Sequence, residues 1–407
     1  MSQESLPGSV RLRLAVPMVG RDPEEDHRAA TPLELFFDLI FVVAVAFASE
    51  RLHHSLVVDE VVDGVIALIL VFFAIWWAWV NFTWFSSAYD TDDVTYRIFV
   101  FVTMTGALIL AAGVPRAFDE RDFDVATLGY VVMRLALVTQ WIRVAMTDTQ
   151  RRVTARRFAV GVAACQVGWV AALLLPGDWW VAAFVVLAPA ELLVPAWAES
   201  ASRTTWHEGH IAERYGLFMI IVLGESVLAA SLAIRSATEG DGLIGELIPI
   251  IVGGLLALFS MWWIYFDRPE ERLLASERGV FIWSYAHLFV FGSVATFGTG
   301  LAASIDGATG HSELGQTATG LAVGIPVVIY LLSLYAVYVR PGDSLLRRFG
   351  IPVTAMLILL TSFTTQPVLL TGLLLTALVV AKEIERIRGE GLAPNQRDSV
   401  EPGKLPS

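Results

Sequence analysis

The sequence predicts an all-α, polytopic membrane protein, a bundle of about twelve spanning helices by the twenty-residue length rule. Three observations carry that prediction. Hydrophobic residues make up 56% of the 407 and charged residues 17%, whereas a soluble domain is nearer a quarter charged. The mean hydropathy is +0.63. Apolar runs long enough to cross a bilayer recur from residue 32 to residue 387, and arginine is concentrated in alternate connections between them.

The first run, 32–52, opens on Thr31-Pro32-Leu33-Glu34, which fits a capping box with proline at the first helical position. Runs at 61–85 and 94–114 follow, and the fourth, 125–146, carries Arg134 and Gln140. The fifth and sixth, 156–175 and 179–198, are joined by Pro176-Gly177-Asp178, so they pack as antiparallel neighbours. Glu191 in the sixth lies between Pro189 and Pro195, which free carbonyls in the preceding turns. The seventh run, 213–234, carries Glu225 beside Gly224, expected to permit close helix approach or a local irregularity. The eighth is 243–266, and the ninth, 279–303, carries His287. Runs at 317–339, 345–364 and 367–387 complete the bundle, the last two meeting near Thr364–Pro367.

Loops on the cytoplasmic side carry the excess of Lys and Arg. With the N-terminus placed inside, inward connections hold 14 arginines, including Arg97, Arg143, Arg203, Arg214 and Arg340. Outward ones hold 4: Arg51, Arg116, Arg121 and Arg235. This asymmetry predicts an even helix count and both termini in the cytoplasm. The expected division is a cytoplasmic tail over 1–30, six-helix halves over 31–200 and 201–388, and a disordered cytoplasmic tail over 389–407. An interfacial segment is expected around Arg11–Val19.

The halves look alike. Phe72–Asn81 (FFAIWWAWVN) aligns without gaps on Leu258–Asp267 (LFSMWWIYFD). Upstream, either Asp38 pairs with Glu225, or Thr31–Glu34 pairs with His210–Glu213. Six helices per half gives both halves one orientation, a 6+6 parallel repeat about an axis along the membrane normal. Trp76, Trp77, Trp79, Trp262 and Trp263 are expected in aromatic belts near helix ends.

Some classes are excluded. A net charge of -12 argues against nucleic acid as a partner. The single cysteine, Cys165, rules out an internal disulfide and reads as a small core hydrophobe. The first thirty residues lack the apolar stretch of a cleavable signal. No Walker or dinucleotide loop appears, which argues against an ATP-driven pump, and no cofactor is implied.

Ionisable groups within spanning helices are costly and are functional candidates by default. Asp38, Glu225, Glu191, Arg134 and His287 are the candidates for binding a substrate or ion, or for proton coupling. Asp38 lies one turn from Glu34 on the same face. Glu34 itself serves first as a cap. Asp38's structural alternative is a buried pair with Arg97 or Arg134. Desolvation suits Glu225, near the bilayer midplane, to carrying a proton, with Arg134 or His287 as partner. His207, His210 and Glu213 share one helix face and form a weak metal candidate that lacks a second ligand cluster.

The segment Thr31–Phe41, with its E-L-F-F-D core, resembles the opening signature of the bacterial low temperature requirement protein A family. His210–Gly216 through Gly224-Glu225-Ser226 resembles its second signature, and Trp262–Asp267 is similar to a further family segment. The resemblance runs from Thr31 to the last helix. Residue by residue it singles out Glu34, Asp38, His210, Glu213, Arg214, Gly224 and Glu225. It implies a bacterial inner-membrane protein linked by name to growth in the cold, and it implies no biochemical activity.

The function expected is secondary transport of an unidentified small solute or ion, with proton coupling, in the bacterial inner membrane. The alternatives are an oligomeric ion channel lined by the first and seventh helices, and a membrane enzyme or sensor with a metal site at His207–Glu213. A homo-oligomer is compatible with all three.

Overall fold

The computed structural model describes residues 13–25, 28–176, 179–239, 244–267, 277–340 and 342–391. Among these the chain is all α, with twelve α-helices in the order expected. They are α1 (Pro32–Val57), α2 (Val61–Tyr89), α3 (Val94–Asp119), α4 (Asp124–Thr147), α5 (Arg152–Ala172) and α6 (Trp180–Glu199) in the first half. The second half has α7 (Glu208–Glu239), α8 (Ile244–Phe266), α9 (Glu277–Ala308), α10 (Gln316–Tyr338), α11 (Ile351–Thr361) and α12 (Pro367–Gly391). Ten are long and apolar enough to cross a bilayer. The other two are α5, which opens on Arg152, Arg156 and Arg157, and the eleven-residue α11, which continues a π-helical turn at Leu346–Gly350. Large apolar side chains such as Ile69, Phe101, Leu193 and Phe259 point outward, as a lipid-facing surface requires. The protein is a multi-pass membrane protein.

Helix starts follow their capping chemistry. Thr31 accepts from the Glu34 amide while Glu34 reaches back to the Thr31 amide, closing the capping box on Pro32. Asp93 Oδ1 accepts from the Tyr96 amide at 2.7 Å and starts α3.

Within the first half α1 packs on α2 and α3, and α3 to α6 pack in sequence; in the second half α7 packs on α8 and α9, and α9 to α12 in sequence. In addition, α8 runs along α12. Small residues set the closest approaches. A side chain at Gly106 of α3 would press on the Gly129 carbonyl of α4, and one at Gly298 of α9 would meet Ser226 of α7. The halves meet where α1 and α2 pack on α7 and α9.

Two expectations change here. Trp76, Trp77 and Trp79 do not form a belt; all three are fully buried at the junction of the halves, and only Trp262 and Trp263 face outward. Their helix runs on to Tyr89, so these residues sit about 15–20 Å from its end by the helical rise. Residues 13–25 and 28–30 form an extended strap across the helix ends on the face where α1 begins. Val94 and Thr95 amides donate to the Arg13 and Leu14 carbonyls, and Arg21 N donates to Ala88 O at 3.0 Å. Thr147 Oγ1 donates to Met18 O at 2.7 Å and Ala30 N to Glu213 Oε2 at 3.1 Å. The interfacial segment expected around Arg11–Val19 is extended where described, and residues 392–407 of the expected C-terminal tail lie outside the described residues.

Candidate functional site

The two motif segments, far apart in sequence, form one buried cluster. α1 presents Glu34 and Asp38 one turn apart, and α7 presents His210 and Arg214 with the same spacing. Arg214 Nη2 lies 2.5 Å from Asp38 Oδ1 and its Nε 3.1 Å from Oδ2, a two-pronged contact suited to the planar guanidinium. Its third nitrogen lies 3.0 Å from Glu34 Oε1. His210 Nε2 is 3.2 Å from Glu34 Oε2. Trp79 of α2 donates Nε1 to Asp38 Oδ1 at 2.7 Å. All of these side chains are buried. Glu34 is therefore both a cap and an ion-pair partner. Asp38's cation is Arg214, not the Arg97 or Arg134 expected, because Arg97 binds Asp92 and Arg134 binds Glu191.

Glu191 has a second, separate set of partners. Arg134 Nη2 and Tyr130 OH each lie 2.8 Å from Oε2, while Gln166 Nε2 (2.9 Å) and Trp169 Nε1 (3.0 Å) donate to Oε1. The carboxylate between two prolines is held by four donors from α4 and α5. Gln140 turns elsewhere and accepts from Arg143 at 2.7 Å.

Glu225 is different. It is buried near the middle of the 32-residue α7. Ser49 of α1 faces it, and Glu225 Oε2 has no hydrogen-bond partner among the described residues. Neither expected partner reaches it: Arg134 serves Glu191, and His287 bonds Tyr265 OH at 3.0 Å and the Trp283 carbonyl at 2.7 Å. Gly224 makes no close helix approach; a side chain there would meet open space. The residues that close-pack this level are instead Ser226 and Gly298.

The His207–Glu213 face is divided among three partners. His207 Nε2 contacts the Glu25 carbonyl at 2.9 Å, His210 contacts Glu34, and Glu213 accepts from Ala30. His207 Nδ1 accepts from the His210 amide at 3.1 Å. The side chains are used up in tying the strap to α7.

A cavity of about 270 Å³ opens on the same face as the strap. It lies between α2, α4, α5 and α6 of the first half, α9 of the second, and the connection from α6 to α7. Exposed Ser200 and Arg203 stand among its lining, and Trp77 lines it within α2, about 18 Å from the Tyr89 end by helical rise. Tyr285 of α9 donates to the Leu192 carbonyl of α6 at 2.8 Å and bridges the halves beside it. A second, polar cavity of about 610 Å³ lies at the opposite ends of α8, α9, α10 and α12, lined by Ser304, Gln316 and Thr319 among others.

Trp79, Tyr130, Gln166, Trp169 and Arg28 were not singled out by the sequence. Arg28 is buried and donates to the Ser86 and Ser87 carbonyls at 2.8 and 2.6 Å. A buried arginine in a segment otherwise read as a tail was the one available signal.

The sequence profile described as "Bacterial low temperature requirement A protein (LtrA)" matches residues 29–382. The chain is also similar to an uncharacterized protein of Rhizobium meliloti (strain 1021), RA0937, with 29% identity over 293 residues, covering 67% of this chain and 69% of that one. No solved structure matches it. The profile takes in both halves, the α1–α7 cluster and Glu225, and so the chain belongs to the bacterial low temperature requirement A family.

Proposed function

We propose that this protein is a proton-coupled secondary transporter of a small solute, in which Glu225 carries the proton. The observation behind this reading is the unmatched state of Glu225. Of the four carboxylates within the helices that are buried among the described residues, Glu34, Asp38 and Glu191 each meet a cation. Glu225 has only a serine opposite it and an oxygen without a partner among the described residues. A buried acid with no counter-ion favours its neutral form and changes charge when water or a solute reaches it. A cavity lies between the halves at one face, and similar packing order in the halves is compatible with a 6+6 repeat of the kind transporters rock about. The arginine excess on the strap face supports a cytoplasmic location for it, in the inner membrane, with both termini on that side.

The channel reading is less well supported. α1 and α7, the helices expected to line a pore, are bridged by the Arg214–Asp38 pair. The test is proton flux in proteoliposomes under an imposed pH gradient. Wild type is expected to show solute-dependent proton movement, and Glu225→Gln to lose it while remaining monodisperse. Unchanged proton movement in Glu225→Gln would remove that residue's role. Solute flux indifferent to a collapsed gradient would remove the coupling.

A further inference from the structure

The cavity on the strap face has an unusual lining. Trp77, Trp84, Trp141, Trp206, Phe281 and Tyr285 bring aromatic rings to it from both halves. Many of these rings are mutually perpendicular. Trp77 and Tyr285 meet edge to face at 5.7 Å, Trp84 and Trp206 at 4.8 Å, and Phe281 and Tyr285 at 5.8 Å. Rings set at right angles turn their negative faces in several directions, and such a box attracts a cation from which water has been stripped. One ring already does so. The Arg203 guanidinium sits 4.5 Å over Trp206 at the wall. Glu199 is the one carboxylate in the lining, half-buried and held by Thr204.

At about 270 Å³ the space lies at the small end of ligand cavities, which run from roughly 300 to 1,000 Å³.

We infer that this cavity binds a small quaternary ammonium compound, with the methylated nitrogen against the rings near Glu199. The inference names a solute class for the transport reading and rests on it only for the movement of the ligand, not for its binding.

The test is equilibrium binding to the full chain purified in detergent, followed by tryptophan fluorescence and calorimetry. The probes are choline, glycine betaine, tetramethylammonium and 3,3-dimethylbutan-1-ol, the uncharged isostere of choline. Choline or tetramethylammonium is expected to bind at least tenfold more tightly than the isostere. Glu199→Gln is expected to weaken the cations about tenfold and leave the isostere unchanged. Equal binding of choline and its isostere, or no binding by monodisperse wild type, overturns the inference. Binding without uptake into proteoliposomes leaves the site standing and counts against transport. Uptake of another solute without cation binding does the reverse.

Discussion

Glu191 and Glu225 are the same side chain, both buried within helices of one protein, and their surroundings are opposite. Glu191 receives four donors, one of them a buried arginine. Glu225 has Ser49 before it and an oxygen with no partner among the described residues. The first arrangement holds the carboxyl in place, because moving it leaves four donors unmatched. The second fixes nothing. Burial alone therefore does not mark a working acid in a membrane; a missing counter-ion is the more telling sign.

The strongest way to break this contrast is to strand the matched acids. Arg134→Leu leaves Glu191 without its cation and is expected to cost about 3–5 kcal/mol, read as a large fall in the thermal midpoint in detergent. Arg214→Leu should cost at least as much, since it strands both Asp38 and Glu34. Replacing Arg134 and Glu191 together by leucine should recover only part of the loss, because Tyr130, Gln166 and Trp169 then lose their acceptor. If either single variant unfolds like wild type, the matched acids are not held as described.

Glu225→Gln sharpens the contrast from the other side. An amide resembles the protonated acid and needs no counter-ion, so the midpoint should move by no more than about 1 kcal/mol in either direction. A loss comparable to that of Arg134→Leu would mean that Glu225 is paired after all.

A separate effect, read through pH, concerns an acid outside the spanning helices. Asp90 caps the end of α2, where burial, and next the negative charge of Glu34, push its carboxyl up to about 6. Its unfolded value is about 3.9, so the folded state binds the extra proton. Stability should fall as pH rises from about 4 to about 6 and level off above, a slope that Asp90→Asn should reduce.

Much of this was legible in the sequence. Every apolar run became a helix, and Asp38, Glu191 and Glu225 stood out because charges in apolar runs are rare. Their partners did not stand out. Arg214 is 176 residues from Asp38 and reads as a loop arginine at a helix entrance, so the nearer Arg97 and Arg134 drew attention. Trp79 looked like a belt aromatic and Trp169 drew no notice, since an indole shows its N–H only when an acceptor is placed beside it. The extended strap was hidden for a similar reason. Its bonds are made by backbone groups, which every sequence carries alike.

That strap also bears on biosynthesis. Its last anchor joins Ala30 to Glu213, 183 residues further along the chain, and His207 holds the Glu25 carbonyl from the same late segment. A ribosome making this protein releases the strap before any of the helices that hold it. Residues 13–21 can dock once α2, α3 and α4 are in place, whereas the anchors at Glu25 and Ala30 wait, on the face where α1 begins, until α7 arrives. Seating the strap is then a check that both halves have been made and joined.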